Sequence, residues 1–185
     1  MTTETMSLLE RKYAKRFEML DADGSGVVDR TDFEMLAERL IDGLGVTPGS
    51  PKAERVRNGY LELCDQLMRI ADGDGNGEID RTEFITAMTR MAGDRAGFKR
   101  IIEPLARLNL SLCDADGDGN LNELEFGSLL RMFNATTMDE ASRIFVRLDT
   151  SGDGYLSLEE ILEALCEFYI STDPDAPGNQ LFGRI

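Results

Sequence analysis

Four stretches of this chain repeat one twelve-residue template, with side-chain oxygens at positions one, three and five, glycine at six, a short polar residue at nine and an acid at twelve. Each copy is too polar to be buried and too tightly spaced to be a strand, so the fold must arrange itself around four turns. The second copy (72–83) carries Asp72, Asp74, Asn76, Gly77, Glu78, Asp80 and Glu83. The third (114–125) carries Asp114, Asp116, Asp118, Gly119, Asn120, Asn122 and Glu125. The first (21–32) reads Asp21, Asp23, Ser25, Gly26, Val27, Asp29 and Asp32, ending in aspartate where the others end in glutamate. The fourth (149–160) reads Asp149, Ser151, Asp153, Gly154, Tyr155, Ser157 and Glu160, with serine at position three.

Asp, Asn and Gly dominate ordinary turns, but turns alone do not call for oxygens at every second position followed by an acid at a fixed distance. A hard cation that takes six to eight oxygens in flexible geometry does, and calcium is that ion. Position six bends the backbone into a region that costs any residue with a β-carbon, hence glycine in all four copies. Position seven offers only its carbonyl, which leaves its side chain free to vary as Val27, Glu78, Asn120 and Tyr155 do. Position eight, Val28, Ile79, Leu121 and Leu156, should pack under a short backbone bridge between paired loops. Position nine is expected to hold a metal-bound water and to cap the helix that follows; Asp29, Asp80, Asn122 and Ser157 are all N-cap residues. The acid three residues on then completes a capping box.

Segments flanking every loop carry apolar residues at helical spacing. The stripes after the loops are Phe33, Leu36, Ala37, Leu40, Ile41 and Leu44; Phe84, Ala87, Met88 and Met91; Phe126, Leu129, Leu130 and Phe133; and Ile161, Leu162, Leu165 and Phe168. With the entering stripes this predicts eight helices in an all-α fold. Pro51 after Ser50 and Thr137 ahead of Glu140 mark helix starts. Pro104 falls inside a stripe that stays in register from Ile101 to Leu112, so a kinked helix is expected there, with a break after Ile102 as the competing form.

A formal charge of −15 and a pI near 4.4 argue against nucleic acid or an acidic membrane surface as partner. Cys64, Cys113 and Cys166 are odd in number and fall on helices, which implies buried free thiols in a reducing compartment. With no histidine and no Cys-x-x-Cys, zinc is not expected. Neither a signal peptide nor a membrane-length apolar run is visible, so a soluble, cytoplasmic monomer is expected. Nothing resembles a phosphate loop or a nucleophile elbow, and no enzymatic role is expected.

The four loops with their flanking helices resemble the EF-hand proteins. The spacing narrows the resemblance: 23 residues (126–148) separate loops three and four, whereas 39 (33–71) separate loops one and two. With the tail Asp173-Pro174-Asp175-Ala176-Pro177-Gly178-Asn179 and Leu181-Phe182-Gly183, the chain is similar to the sarcoplasmic calcium-binding proteins and their calerythrin-like bacterial counterparts. That resemblance implies two EF-hand pairs packed into one compact body and a role in calcium buffering or modulation. The pairs are expected at 1–93 and 94–185, with a tail at 171–185. Members of that family often have a degenerate loop, commonly the second, whereas here loop two is the best formed, so four sites rest on the residues themselves. The light-emitting relatives use histidine and tryptophan, and this chain has neither.

A calcium buffer is favoured over a sensor that exposes an apolar groove to a target protein, because the methionines are scattered and the connection 92–97 is short. Loops two and three should fill first and loop four should be weaker. Loop one, with the shorter Asp32, should accept magnesium best. The apolar end, Leu181, Phe182 and Ile185, is expected either to plug a cleft or to hang free. Without metal, three or four crowded carboxylates per loop should loosen the fold.

Overall fold

The computed structural model describes residues 6–134 and 137–183; Ile185 and the side chain of Phe133 lie outside that description. Among the described residues there are eight α-helices, α1 Leu8–Leu20, α2 Arg30–Gly43, α3 Pro51–Ala71, α4 Arg81–Met91, α5 Arg95–Cys113, α6 Glu123–Asn134, α7 Met138–Leu148 and α8 Leu158–Ile170. Two two-residue strands, β1 Val27–Val28 and β2 Ile79–Asp80, and a 3-10 turn at Pro177–Gln180 complete the order.

Local chemistry sets the boundaries. Ser50 accepts from the Ala53 amide at 3.2 Å with Pro51 at the first helical position, where no N–H is missed. Thr137 and Glu140 form the expected capping box, as do Ser7 and Glu10 at the start of α1. The long interval between loops one and two is taken up by α2, a turn at 44–50 and the 21-residue α3. α5 runs from Arg95 to Cys113 with Pro104 inside it, so the competing break after Ile102 does not occur. The apolar register on both sides of the proline keeps Ile102, Leu105 and Ala106 in the core, which outweighs one lost backbone hydrogen bond.

Loops are joined in twos. Val27 faces Asp80 and Val28 faces Ile79 in an antiparallel pair, and Leu121 and Leu156 exchange backbone hydrogen bonds of 2.9 and 2.8 Å. All four position-eight side chains are fully buried. α1 packs on α4, α6 on α7 and α5 on α8, while α1 against α8 and α3 against α5 join the two halves. One continuous core results, running from Tyr13, Phe17 and Phe33 through Val56 and Tyr60 to Phe126, Phe145 and Phe168. Cys64, Cys113 and Cys166 are free and buried within it. Burial pushes the Cys64 thiol up to about 11 and Cys113 up to about 12, so neither is a thiolate at neutral pH.

The tail docks. Gly178 lies so close to α8 that a β-carbon would sit 2.2 Å from the Ala164 carbonyl oxygen, and its amide donates to Glu167 Oε2 at 2.7 Å. Leu181 is buried, and Phe182 packs edge-on to Phe168 with ring centroids 4.7 Å apart. Both side chains line an apolar cavity shared with Tyr60, Ile102, Leu105 and Leu130.

Candidate metal sites

The structure gathers the carboxylates that the template places at positions one, three and twelve. Asp21, Asp23 and Asp32 form one group, Asp72, Asp74 and Glu83 a second, and Asp114, Asp116 and Glu125 a third, each with ligand oxygens within 4.8 Å of one another. Loop four, with Ser151 at position three, forms no such group among the described residues. Three ionised carboxylates at that separation repel one another, and a divalent cation among them offsets the repulsion. The donor set is all oxygen, as a hard cation requires, so the residues present fit calcium.

Each loop is held in shape by backbone amides. The position-one aspartate spans the turn: Asp21 accepts from Ser25 and Gly26 at 2.9 and 3.0 Å, and Asp72 from Gly75 and Gly77 at 2.8 and 3.1 Å. Asp114 accepts from Gly117 and Gly119 at 2.7 and 3.0 Å, and Asp149 from Gly152 and Gly154 at 2.7 and 2.9 Å. The position-six glycines sit at φ +90, +85, +86 and +85, the left-handed region the sequence calls for. Position four is also glycine in every loop, at φ +74, +77, +78 and +73. Sequence reasoning passed over that regularity, although four glycines at one template position were there to be seen.

The position-twelve acid closes each loop with one oxygen and caps the next helix with the other. Glu83 accepts from Gly73 at 3.0 Å and Asp80 at 3.0 Å; Glu125 accepts from Ala115 at 2.8 Å and Asn122 at 3.0 Å. Asp32 makes the same bridge despite its shorter side chain, accepting from Ala22 at 2.8 Å and Asp29 at 2.8 Å. To reach, it is drawn inside until only 1% of it is exposed. That burial raises its carboxyl above the usual range, against the backbone amides that lower it. In return, the side chains of Asp80, Asn122 and Ser157 accept from the amides of Glu83, Glu125 and Glu160 at 2.8, 3.2 and 3.3 Å. Asp29 likewise caps α2, accepting from Thr31 at 2.6 Å.

In loop one the Ser25 hydroxyl donates to the Val27 carbonyl at 3.1 Å, bringing the position-five and position-seven oxygens together. In loop two the Asn76 side-chain oxygen accepts from the Glu78 amide at 2.7 Å, and in loop three Asp118 accepts from Asn120 at 2.7 Å. In loop four Asp153 accepts from Tyr155 at 2.9 Å, while the Ser151 hydroxyl donates to Asp149 at 3.1 Å. Glu160 receives an unusual number of donors. Burial pushes its carboxyl up, but the Ser157 amide and hydroxyl, the Ser151 amide and the Thr150 hydroxyl outweigh it and hold the group down at about 2. Thr150, at position two, was not singled out from sequence.

Tyr155 is the one tyrosine inside a loop; it is 41% exposed, whereas Tyr13, Tyr60 and Tyr169 are buried in α1, α3 and α8. Its ring is the nearest sensitiser for a lanthanide replacing the cation in loop four, and transfer falls steeply with distance. Terbium emission excited through tyrosine is therefore expected to drop at least about fivefold in Tyr155→Phe, and unchanged emission would show that loop four takes no ion.

Helix, oxygen-lined loop and helix, repeated four times and bridged in twos, define a calcium-binding protein of paired helix–loop–helix units. The family model for the EF-hand domain pair matches residues 10–89 and 103–166, and the chain belongs to that family. Calerythrin of Saccharopolyspora erythraea is 29% identical over 167 residues, spanning 89% of this chain and 94% of its own length. A Streptomyces coelicolor calcium-binding protein, solved as a basis for prokaryotic calcium-mediated regulation, superposes with TM-score 0.76 at 33% identity, covering 89% of this chain and 99% of that one. The sarcoplasmic calcium-binding protein of amphioxus shares the fold with TM-score 0.78 at 18% identity over 97% of this chain and 98% of its own. Among the described residues, no helix is long and apolar enough to cross a membrane.

Proposed function

We propose that this chain is a monomeric, cytoplasmic calcium buffer or modulator that holds up to four ions, without enzymatic activity of its own. Two EF-hand pairs would carry them, 1–93 and 94–185, divided at the short connection between α4 and α5. In loop one the ligands would be Asp21, Asp23, Ser25, the Val27 carbonyl and Asp32, and in loop two Asp72, Asp74, Asn76, the Glu78 carbonyl and Glu83. In loop three they would be Asp114, Asp116, Asp118, the Asn120 carbonyl and Glu125, and in loop four Asp149, Ser151, Asp153, the Tyr155 carbonyl and Glu160. Asp29, Asp80, Asn122 and Ser157 would each hold a water. Once bound, calcium neutralises the crowded carboxylates and ties the two helices of each hand together.

The observation that carries the buffer reading over the sensor reading is the docked tail. Leu181 and Phe182 cover apolar side chains of α5, α6 and α8 that would otherwise be open to a target helix, and Met88 is buried in the core rather than presented on a groove. The relative solved for calcium-mediated regulation keeps modulation within this reading. A hydrophobic-surface dye, at constant physiological magnesium, should show little change or a fall in fluorescence when calcium is added. A clear rise would mean an exposed groove and a protein target.

Loop one is the proposed magnesium-tolerant site. A position-twelve side chain one methylene shorter, drawn into the protein, favours a small six-coordinate ion over bidentate ligation of calcium. Asp32→Glu is expected to raise the calcium-over-magnesium preference of loop one by about tenfold, read by competition titration. An unchanged preference would refute the assignment.

A further inference from the structure

The entering helix of loop one and the exiting helix of loop four grip each other at their far ends. α1 ends at Leu20, immediately before Asp21, the first ligand position of loop one, and α8 carries Glu160, the last ligand position of loop four, in its first turn. Three α1 side chains on one face reach the C-terminal turn of α8. Lys12, 0% exposed, donates through Nζ to the Ser171 carbonyl at 2.8 Å, just past the end of the helix, and at 3.3 Å to the Glu167 carbonyl, which also accepts the Ser171 amide at 3.0 Å. Tyr13 donates its hydroxyl to the Tyr169 carbonyl at 2.6 Å, and Arg16 Nε donates to the Tyr169 hydroxyl at 3.0 Å. The tail then locks the junction from outside, with Phe182 stacked under the Arg16 guanidinium at 4.7 Å and edge-on to Phe168.

From these contacts we infer that α1, α8 and the docked tail form a clasp that couples loop one to loop four, so that filling either site raises the affinity of the other. The lever arms are short and stiff: about 14 Å of helix separates Glu160 from Tyr169 and about 8 Å separates Arg16 from Asp21. No backbone bridge joins these two loops, since β1 pairs with β2 and Leu121 with Leu156. The clasp is therefore the direct route between the outer hands, and α3 against α5, α2 against α6 and α4 against α5 are indirect ones. Linkage makes the coupling reciprocal. The inference rests on the proposal that both loops take an ion.

The Gly26 amide, which donates to Asp21 Oδ2 at 3.0 Å, is the reporter for loop one, and its resonance is expected to shift as calcium is added. Disabling loop four by Glu160→Gln in the full chain should weaken loop one at least about fivefold, the low end of typical couplings. Opening the clasp should reduce that dependence below about twofold. Gly178→Ala opens it by forcing the tail off α8, and Phe182→Ala is a milder second variant that keeps the turn. In excess chelator, both variants should also speed hydrogen exchange in α1 and α8 together while α3 and α4 keep their protection. Equal dependence on Glu160→Gln in the intact and opened chains would overturn the clasp and assign the coupling to the other contacts between the halves, α3 with α5, α2 with α6 and α4 with α5. A Gly26 resonance indifferent to calcium would overturn the loop-one site instead, and the exchange arm would still decide whether the clasp holds the two helices.

Discussion

Chelating calcium is expected to lower the melting temperature of this protein by roughly 15–30 °C. A ligand present at a thousand times its dissociation constant stabilises the folded state by about 4 kcal/mol per site. Two well-formed sites, loops two and three, therefore contribute about 8 kcal/mol, and a chain of this size shifts by about 2–4 °C per kcal/mol. The structural origin is the separation of the ligand oxygens, with Asp72, Asp74 and Glu83 inside 4.8 Å and Asp114, Asp116 and Glu125 likewise. Backbone amides hold part of that negative charge, but each position-one aspartate already faces two of them; loop three has no basic residue, and the Arg81 of loop two pairs with Glu18 outside the loop. Scanning calorimetry in calcium and in excess chelator reads the difference. A shift under about 5 °C would mean that the loops are not significantly loaded.

Glu125→Gln should cost loop three at least about 100-fold in calcium affinity. Losing a residue that merely orients a ligand costs 10–100-fold, and Glu125 is a proposed ligand that also closes the loop on Ala115 and caps α6 at Asn122. Glutamine keeps one acceptor but turns an N–H₂ toward a backbone N–H, so either the closure or the cap is lost. Because Leu121 and Leu156 share a backbone bridge, loop four should weaken as well, by a smaller factor. The metal-free protein should lose only a few degrees, since the substitution also removes one of three mutually repelling charges. Calorimetric titration of the variant beside Glu83→Gln checks both statements; a loss below threefold would take position twelve out of the ligand set.

Legibility differed with the range of the interaction. The loops were readable because every contact that shapes them lies within twelve residues: aspartate to turn amide, glycine at positive φ, position-nine cap to position-twelve acid. Position eight was readable too, since an apolar residue between ligands has only the loop bridge to pack under, and Val28, Ile79, Leu121 and Leu156 are all fully buried. The position-four glycines obey the same short-range logic and were overlooked for want of counting. The junction of α1 with α8 was not readable, because Lys12 meets Ser171 across 159 residues and a lysine in a helix looks solvated until its partner carbonyls are placed. The tail was half readable: Leu181 and Phe182 announced an apolar end, but only the close approach of Gly178 to Ala164 shows where it goes. Pro104 kept its helix whole because the stripe on both sides was in register, so the sequence carried the reason even where the outcome stood open.

Counting bound ions by native mass spectrometry, in magnesium-free buffer across a calcium series, tests the four-loop account most directly. The prediction is a plateau at four ions, with two taken up before the others. A plateau below four would contradict it, and the Glu83→Gln and Glu125→Gln variants would show which loop fails to fill.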